Sequence, residues 1–141
     1  DNTANEWYIT GVQLEAGQTA SEFEFLPHDV NKQRCCRYYQ NSFALGSVVG
    51  TSTSQTDCVI TTGWNDGNAP FANPFSTEMR TAPTVTLRGR GSTTTGQVNN
   101  NGTYRSASAT DISNKGIAYI SVTSGSAGVY NAYNYELNSE L

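Results

Sequence analysis

Hydrophobic and polar residues alternate along most of the chain after Phe43, which is the pattern of half-buried β-strands. The alternation predicts strands over 43–49, 57–62, 75–88 with a bend at 82–83, 103–112, 116–123 and 133–137. Turns rich in Gly, Asn, Ser and Thr separate these runs. Short strands with turns at this spacing indicate a sandwich or a barrel, and we take residues 43–141 to be an antiparallel β-sandwich.

The first part of the chain carries an alternation that changes phase. Trp7 and Ile9 share one face of a predicted strand over 5–17, and Val12 and Leu14 continue one residue out of step. Gly11 lies where the phase changes, and a β-bulge there would return the hydrophobic side chains to the same face of the strand. No hairpin partner follows in the sequence, so this strand is expected to pair with a distant or missing segment.

Residues 30–40, "VNKQRCCRYYQ", contain no Gly or Pro and predict a short helix with Asp29 as its N-cap. On such a helix Cys35 shares a face with Tyr38 and Tyr39. A helix of this length is marginal in water and has to be held by packing. The segment therefore predicts a helical neck within a linker over 19–42.

The composition narrows the class of ligand. Of the 141 residues, 36% are hydrophobic and 14% charged, and the formal net charge is −4. A body so nearly neutral has no long-range field to recruit nucleic acid or an anionic membrane, whereas neutral carbohydrate suits its hydroxyls, amides and aromatic rings. No run reaches the length of a membrane span. The chain begins at Asp1 without a Met, which suggests a piece of a longer protein.

Chemistry-bearing residues are few. The three cysteines form no C-x-x-C pair, and His28 is the single histidine, so neither a zinc site nor a cysteine nucleophile with its base is expected. Cys35 and Cys58 are instead expected to be small buried hydrophobes. The carboxylates are scattered, and "RGRGSTTTG" has no Lys and no following helix. We expect no enzyme activity, metal or cofactor.

Four aromatic residues are candidates for stacking against sugar rings, and for each the alternative is core packing: Trp64, Tyr104, Tyr130 and Tyr133. Trp64 lies within the loop sequence "GWNDGNAPF", which favours exposure. Tyr133 is in phase with Tyr135 and Leu137, which favours burial.

Four stretches together resemble the C-terminal region of tailed-phage tail fibres and related virion structural proteins: "YITGVQLEAG", "CCRYYQ", "FSTEMRTAPTVTL" and "YNYELNSEL". The first is similar to the last strand of a jelly-roll module, the second to a neck, and the others to a terminal β domain. Arg34 and Cys36 depart from the usual aliphatic residue and Gln, and "FSTEM" lacks a Pro.

The resemblance implies three parts: residues 1–18 as the closing strand of a truncated jelly-roll-like module, 19–42 as linker and neck, and 43–141 as the tip. It implies a non-enzymatic homotrimer in the virion, assembled in the host cytoplasm beside other tail proteins, without membrane insertion. The tip would bind a host surface glycan or protein. The alternatives are a carbohydrate-binding module of a secreted enzyme and a purely structural virion protein. The implied trimer seam consists of Val30, Cys35, Tyr38 and Tyr39.

Counting up-and-down strands from Phe43 predicts which loops lie away from the neck. The count places loops 50–56, 89–102 and 124–128 at the end away from the neck (distal), and it places the Trp64 loop next to the neck. The expected receptor-binding residues are therefore the polar ones of the distal loops: Arg90, Asn99, Asn100, Asn101 and Ser126.

Overall fold

The computed structural model describes residues 9, 12–14, 16–19, 21–23, 25–44, 46–50, 57–64, 68–71 and 74–140. Within these ranges the chain is all-β apart from one short helix, α1, at His28–Cys36. The eight strands are Tyr39–Asn41 (β1), Val59–Thr62 (β2), Ala69–Pro70 (β3), Thr84–Gly89 (β4), Gln97–Asn100 (β5), Thr103–Ile112 (β6), Ile117–Val122 (β7) and Tyr130–Asn138 (β8). The described part of the chain has no helix long and apolar enough to cross a lipid bilayer.

Strand β8 is the centre of the sheet because β1, β2, β4 and β5 all pair with it, each antiparallel. β1 and β4 both pair with Glu136, so they lie on opposite edges of β8. β2 and β4 both pair with Tyr133, so β2 follows β1 along the same edge. One edge of β8 thus carries β1 and β2, and the other carries β4 and β5.

Between β4 and β5 the chain leaves β8 and returns to the same place. The amide of Arg90 donates to the carbonyl of Ala132 (3.1 Å), and Asn99 is also in register with Ala132. At the base of this excursion a Cβ on Gly89 would lie 3.0 Å from the Asn99 nitrogen and 2.8 Å from the Tyr104 ring. Only glycine leaves room for this approach.

The remaining strands curl the sheet round on itself. β6 pairs with β5 through its first half and with β7 through its second half, and β3 pairs with the other edge of β7. The enclosed core includes Tyr133 and Leu137, both fully buried as the sequence predicted. The Tyr133 ring stacks on Phe71 at 6.5 Å between centroids. The other buried hydrophobic side chains are Val59, Ala69, Met79, Leu87, Val98, Ile117, Ile120, Val122, Ala132 and Tyr135.

The predicted strand over 43–49 is wrong. The described residues of this segment form bends and turns, and Gly46 has a φ of 85°, which breaks an extended run. The Asn134 side chain donates to the Ser42 hydroxyl and to the Asp57 carbonyl (3.2 Å each). The ends of the segment between β1 and β2 are thus held at the outer side of β8, the side away from the core.

Three other predictions about the strands need correction. Residues 97–100, predicted to belong to a loop over 89–102, form β5. Residues 75–83 form no strand, so the strand predicted over 75–88 is shortened to β4. In β2 the phase is the reverse of the one predicted by the alternation, in which Ile60 shares a face with Cys58, expected to be buried: instead Val59 is buried and Ile60 is exposed. The register explains this, because Val59 pairs with the buried Tyr133 and Ile60 therefore points to the outer side.

The predicted strand over 5–17 is absent among the residues of that stretch that the structure describes, namely 9, 12–14 and 16–17. Ile9, Val12 and Leu14 are exposed, and Leu14 is 98% accessible. Gly11, the predicted bulge, lies outside the described residues. The described part of the chain therefore leaves most of the surface of these apolar side chains accessible.

The helix is shorter and earlier than predicted. It begins at His28 after Pro27, and Asp29 lies in its first turn rather than at the cap. It ends at Cys36, so Tyr39 belongs to β1 and does not share a helical face with Cys35. The sheet accordingly starts at Tyr39, before the predicted domain boundary at residue 43.

The buried Gln40 side chain is one of the links that fasten the helix to the sheet. Gln40 donates its amide to the carbonyls of Cys36 and Thr77 (2.9 Å each). Its carbonyl oxygen accepts from both the amide and the hydroxyl of Ser76 (2.9 Å each). Ser139 adds a second link, donating its amide to the Tyr38 carbonyl (2.8 Å). We call this region, residues 36–42, 76–80 and 135–139, the helix end.

Candidate binding surface

Three segments meet at the opposite end of β8, which we call the far end: residues 62–64, 99–102 and 126–130. The Gly63 amide donates to the Val129 carbonyl (2.8 Å), and the Gly128 amide donates to the Gly63 carbonyl (3.0 Å). Gly128 and Val129 thus both oppose Gly63, as in a β-bulge. Gly128 has the positive φ (75°) that such a bulge favours. On the other edge of β8 the Asn101 amide donates to the Tyr130 carbonyl (3.1 Å).

The prediction that the Trp64 loop faces the neck is therefore wrong. Thr62 pairs with Tyr130 at the start of β8, whereas the helix end surrounds the last residues of β8. Strand counting failed because the described residues of 43–49 form no strand, and because β1 and β2 run in the same direction along one edge of β8. The Trp64 loop and the Asn99–Asn101 run lie together at the far end.

An exposed stripe of side chains follows the outer side of β2 to the far end. Burial alternates from Val59 to Trp64, so that Ile60, Thr62 and Trp64 face outward. Ile60 is 57% exposed, Trp64 46%, and Tyr130, the partner of Thr62, 40%. None of these side chains carries a charge. We call Ile60, Thr62, Trp64 and Tyr130 the aromatic stripe.

Neighbouring groups hold Trp64 in place. Its amide donates to the Asn68 carbonyl (2.7 Å), and the Asn68 side chain in turn accepts from the Val122 amide (2.8 Å). The indole contacts the ring of Tyr119 with the centroids 6.2 Å apart and the planes tilted by 50°. The exposed Trp64 ring is therefore supported from β7 and presented on an ordered backbone.

The three consecutive asparagines at the far end have different roles. Asn99 accepts from the Gly102 amide (2.7 Å) and shapes the turn. Asn100 is only 3% exposed, donates to the Asn131 side chain (3.0 Å) and accepts from the Ser126 amide (3.1 Å). Asn101 is exposed, with a φ of 48°. Of the three, Asn101 alone presents its side chain to solvent without a hydrogen bond within the described chain.

The other two predicted binding residues lie near the far end. Ser126 is exposed, and its backbone is tied to Asn100. Arg90 is half-buried at the point where the chain leaves β8, and its carbonyl accepts from the Tyr104 hydroxyl (3.1 Å). The structure therefore brings Arg90, Ser126 and the asparagines to the end that also carries the aromatic stripe. Strand counting had separated them from the Trp64 loop, which it placed next to the neck.

The residues predicted to form a trimer seam lie near the helix end. Val30 is half-buried, and Cys35, Tyr38 and Tyr39 are exposed in the single chain. The expectation that Cys35 is a buried hydrophobe is therefore wrong for the single chain; Cys58 is partly buried. The Tyr39 hydroxyl donates to Glu136 (3.3 Å), which also pairs with Arg88.

Within the described part of the chain, no group of three His, Cys, Asp or Glu side chains is placed to hold a metal ion. Sequence reasoning proposed Trp64 and Tyr130 as stacking candidates but not Ile60 or Thr62, because it had the phase of β2 reversed. The register of β2 with β8, a contact between distant parts of the chain, places Ile60, Thr62 and Tyr130 on one side.

Comparison with known proteins adds no further assignment. The chain matches no family model, and no curated protein and no solved structure matches it. What the protein does has to be inferred from its own residues and from the two ends of its sheet.

Proposed function

We propose that this chain is the receptor-binding tip of a phage tail fibre, a homotrimer that attaches the virion to carbohydrate or protein on the host surface. The observation that carries the proposal is the separation of two surfaces along β8. The helix end carries the connection to the preceding chain, and the far end carries exposed aromatic and amide side chains. A tip needs this polarity, with attachment to the fibre at one end and free binding groups at the other.

Uncovered apolar residues support assembly with further copies. Leu14, Phe25 and Tyr38 are exposed in the single chain although they are large and hydrophobic, and exposed apolar patches mark interaction surfaces. In the proposed trimer these residues, together with the seam of Val30, Cys35, Tyr38 and Tyr39, are covered by the other two copies. We further propose that the curled sheet works as a sandwich-like tip on a helical neck, without catalytic activity or a cofactor.

Two measurements test the proposal. Light scattering should give the mass of three chains at micromolar concentration, and a fluorescently labelled chain should bind some bacterial strains and not others. A stable monomer that still binds glycan would favour the carbohydrate-binding module of a secreted enzyme. A trimer that binds no strain in a broad panel would favour a purely structural virion protein.

A further inference from the structure

The aromatic stripe has features that a binding surface requires and that a structural surface does not. Several large hydrophobic side chains exposed together on the outer side of a strand lower the solubility of a protein unless a ligand or partner covers them. Here Ile60 lies on β2, Tyr130 lies on β8 opposite Thr62, and Trp64 lies two residues beyond the end of β2. We infer that the stripe binds a neutral oligosaccharide, with pyranose rings stacked on Trp64 and Tyr130.

The chemistry of the side chains selects this ligand over a charged one. Aromatic faces attract the apolar C–H faces of sugar rings, while the ring edges leave hydroxyls free for hydrogen bonds. Thr62, which carries a hydroxyl, is opposite Tyr130 and two residues before Trp64. Asn101, whose backbone amide donates to the Tyr130 carbonyl, lies on the other edge of β8. The stripe itself has no ionic group, so a phosphate or carboxylate on the ligand would find no opposite charge among its four side chains.

The spacing sets a minimum length for the ligand. Thr62 is directly opposite Tyr130, and Trp64 lies two residues further along, past the bulge at Gly63, so Trp64 is displaced from the position opposite Tyr130. Trp64 also contacts Tyr119, which lies on β7, away from β8. A single sugar ring cannot stack on both Trp64 and Tyr130. The site therefore takes at least two linked rings, and a monosaccharide fills only half of it.

The inference rests on the proposed function for its biological meaning but concerns a binding reaction that is measured separately. The test uses the full chain and a panel of neutral oligosaccharides of one to six rings, with sialylated and phosphorylated glycans beside them. Affinity should rise from one ring to two or three and then level off. It should stay constant between about 50 and 500 mM salt, because screening acts only on charges.

Single substitutions show which side chains contact the oligosaccharide. Trp64→Ala and Tyr130→Ala should each weaken oligosaccharide binding at least about tenfold, which corresponds to about 1.4 kcal/mol. Tyr38→Ala is the matched control, since Tyr38 is about as exposed (43%) but lies at the helix end. It should leave the affinity for a soluble oligosaccharide unchanged, even if assembly changes. Thr62→Val, which keeps the shape and removes the hydroxyl, should give a smaller loss than either aromatic variant.

The outcomes separate this inference from the proposed function. Oligosaccharide binding that depends on Trp64 and Tyr130, without binding to any bacterial strain, would support the stripe and overturn the receptor-binding tip. Cell binding that survives periodate treatment of the cells and is lost on proteolysis would overturn the stripe and identify a protein receptor. Equal affinities for the parent chain and both aromatic variants, or selective binding of charged glycans, would also overturn it.

Discussion

At the helix end the polar side chain of Gln40 is buried and hydrogen-bonded within the protein, whereas at the far end several side chains remain exposed to solvent. Gln40 is buried and makes four hydrogen bonds that join α1, β1 and residues 76–77. Trp64, Tyr130 and Asn101 are exposed, and it is their backbone groups that bond to neighbouring segments. Side chains thus hold segments together at the helix end and stay exposed in part of the far end, and tertiary contacts determine which of them are buried.

The largest effect should follow from breaking the helix end. Gln40→Ala removes four hydrogen bonds and leaves the Cys36 and Thr77 carbonyls without a donor, which should lower the free energy of unfolding by about 3 kcal/mol. Thermal denaturation followed by circular dichroism measures the change. The control is Gln33→Ala, at an exposed position of α1, which should shift stability by less than about 0.5 kcal/mol. Equal effects of the two variants would mean that Gln40 does not fasten the helix.

A pair of glycine variants tests the close approach of β4 to β5 at Gly89. In Gly89→Ala the new methyl group meets the Tyr104 ring and the Asn99 nitrogen, so we expect a loss of about 2 kcal/mol from overpacking. Gly116→Ala is the control, because nothing lies within 4 Å of its Cβ position. Urea unfolding of both variants gives the comparison. An unchanged midpoint for Gly89→Ala would contradict the close approach of β4 and β5.

Within the far end, neighbouring asparagines differ in whether their side chains support the fold or face solvent. Asn100→Ala should cost about 1–2 kcal/mol, because it removes the partner of the Asn131 side chain and of the Ser126 amide. Asn101→Gly, which keeps the positive φ accessible, should leave stability within about 0.5 kcal/mol. The measurement is the denaturant midpoint of each variant. If Asn101→Gly proved the more damaging, the division between supporting and exposed amides would be wrong.

The smallest effect on stability should come from the exposed indole. Trp64→Ala loses the contact with Tyr119 but opens no buried cavity, so we expect a loss below about 1 kcal/mol. The melting temperature should therefore fall by only a few degrees. A large fall would mean that Trp64 is a packing residue of the far end, and a loss of glycan binding in this variant would then be a consequence of misfolding.

Local patterns were enough to predict the all-β class, the strand at 103–112 and the burial of Tyr133 and Leu137, because each depends on nearby residues. They did not predict the phase of β2 or the position of the Trp64 loop. Both depend on β2 pairing with β8, whose residues lie far along the chain. The end of α1 was also missed, because Gln40 and Ser139 stabilise an extended backbone from Tyr39 onward through bonds to distant segments.

The place of β8 in the chain has a consequence for how the protein is made. A nascent chain that has emerged as far as β7 contains β1, β2, β4 and β5 but lacks the strand with which all four pair. Tyr39 must wait for Asn138, and Val59 for Tyr133, so the decisive pairings close long loops and are expected to form slowly. During synthesis the edges of those early strands remain open, and the period before β8 emerges is when the chain is most exposed to aggregation.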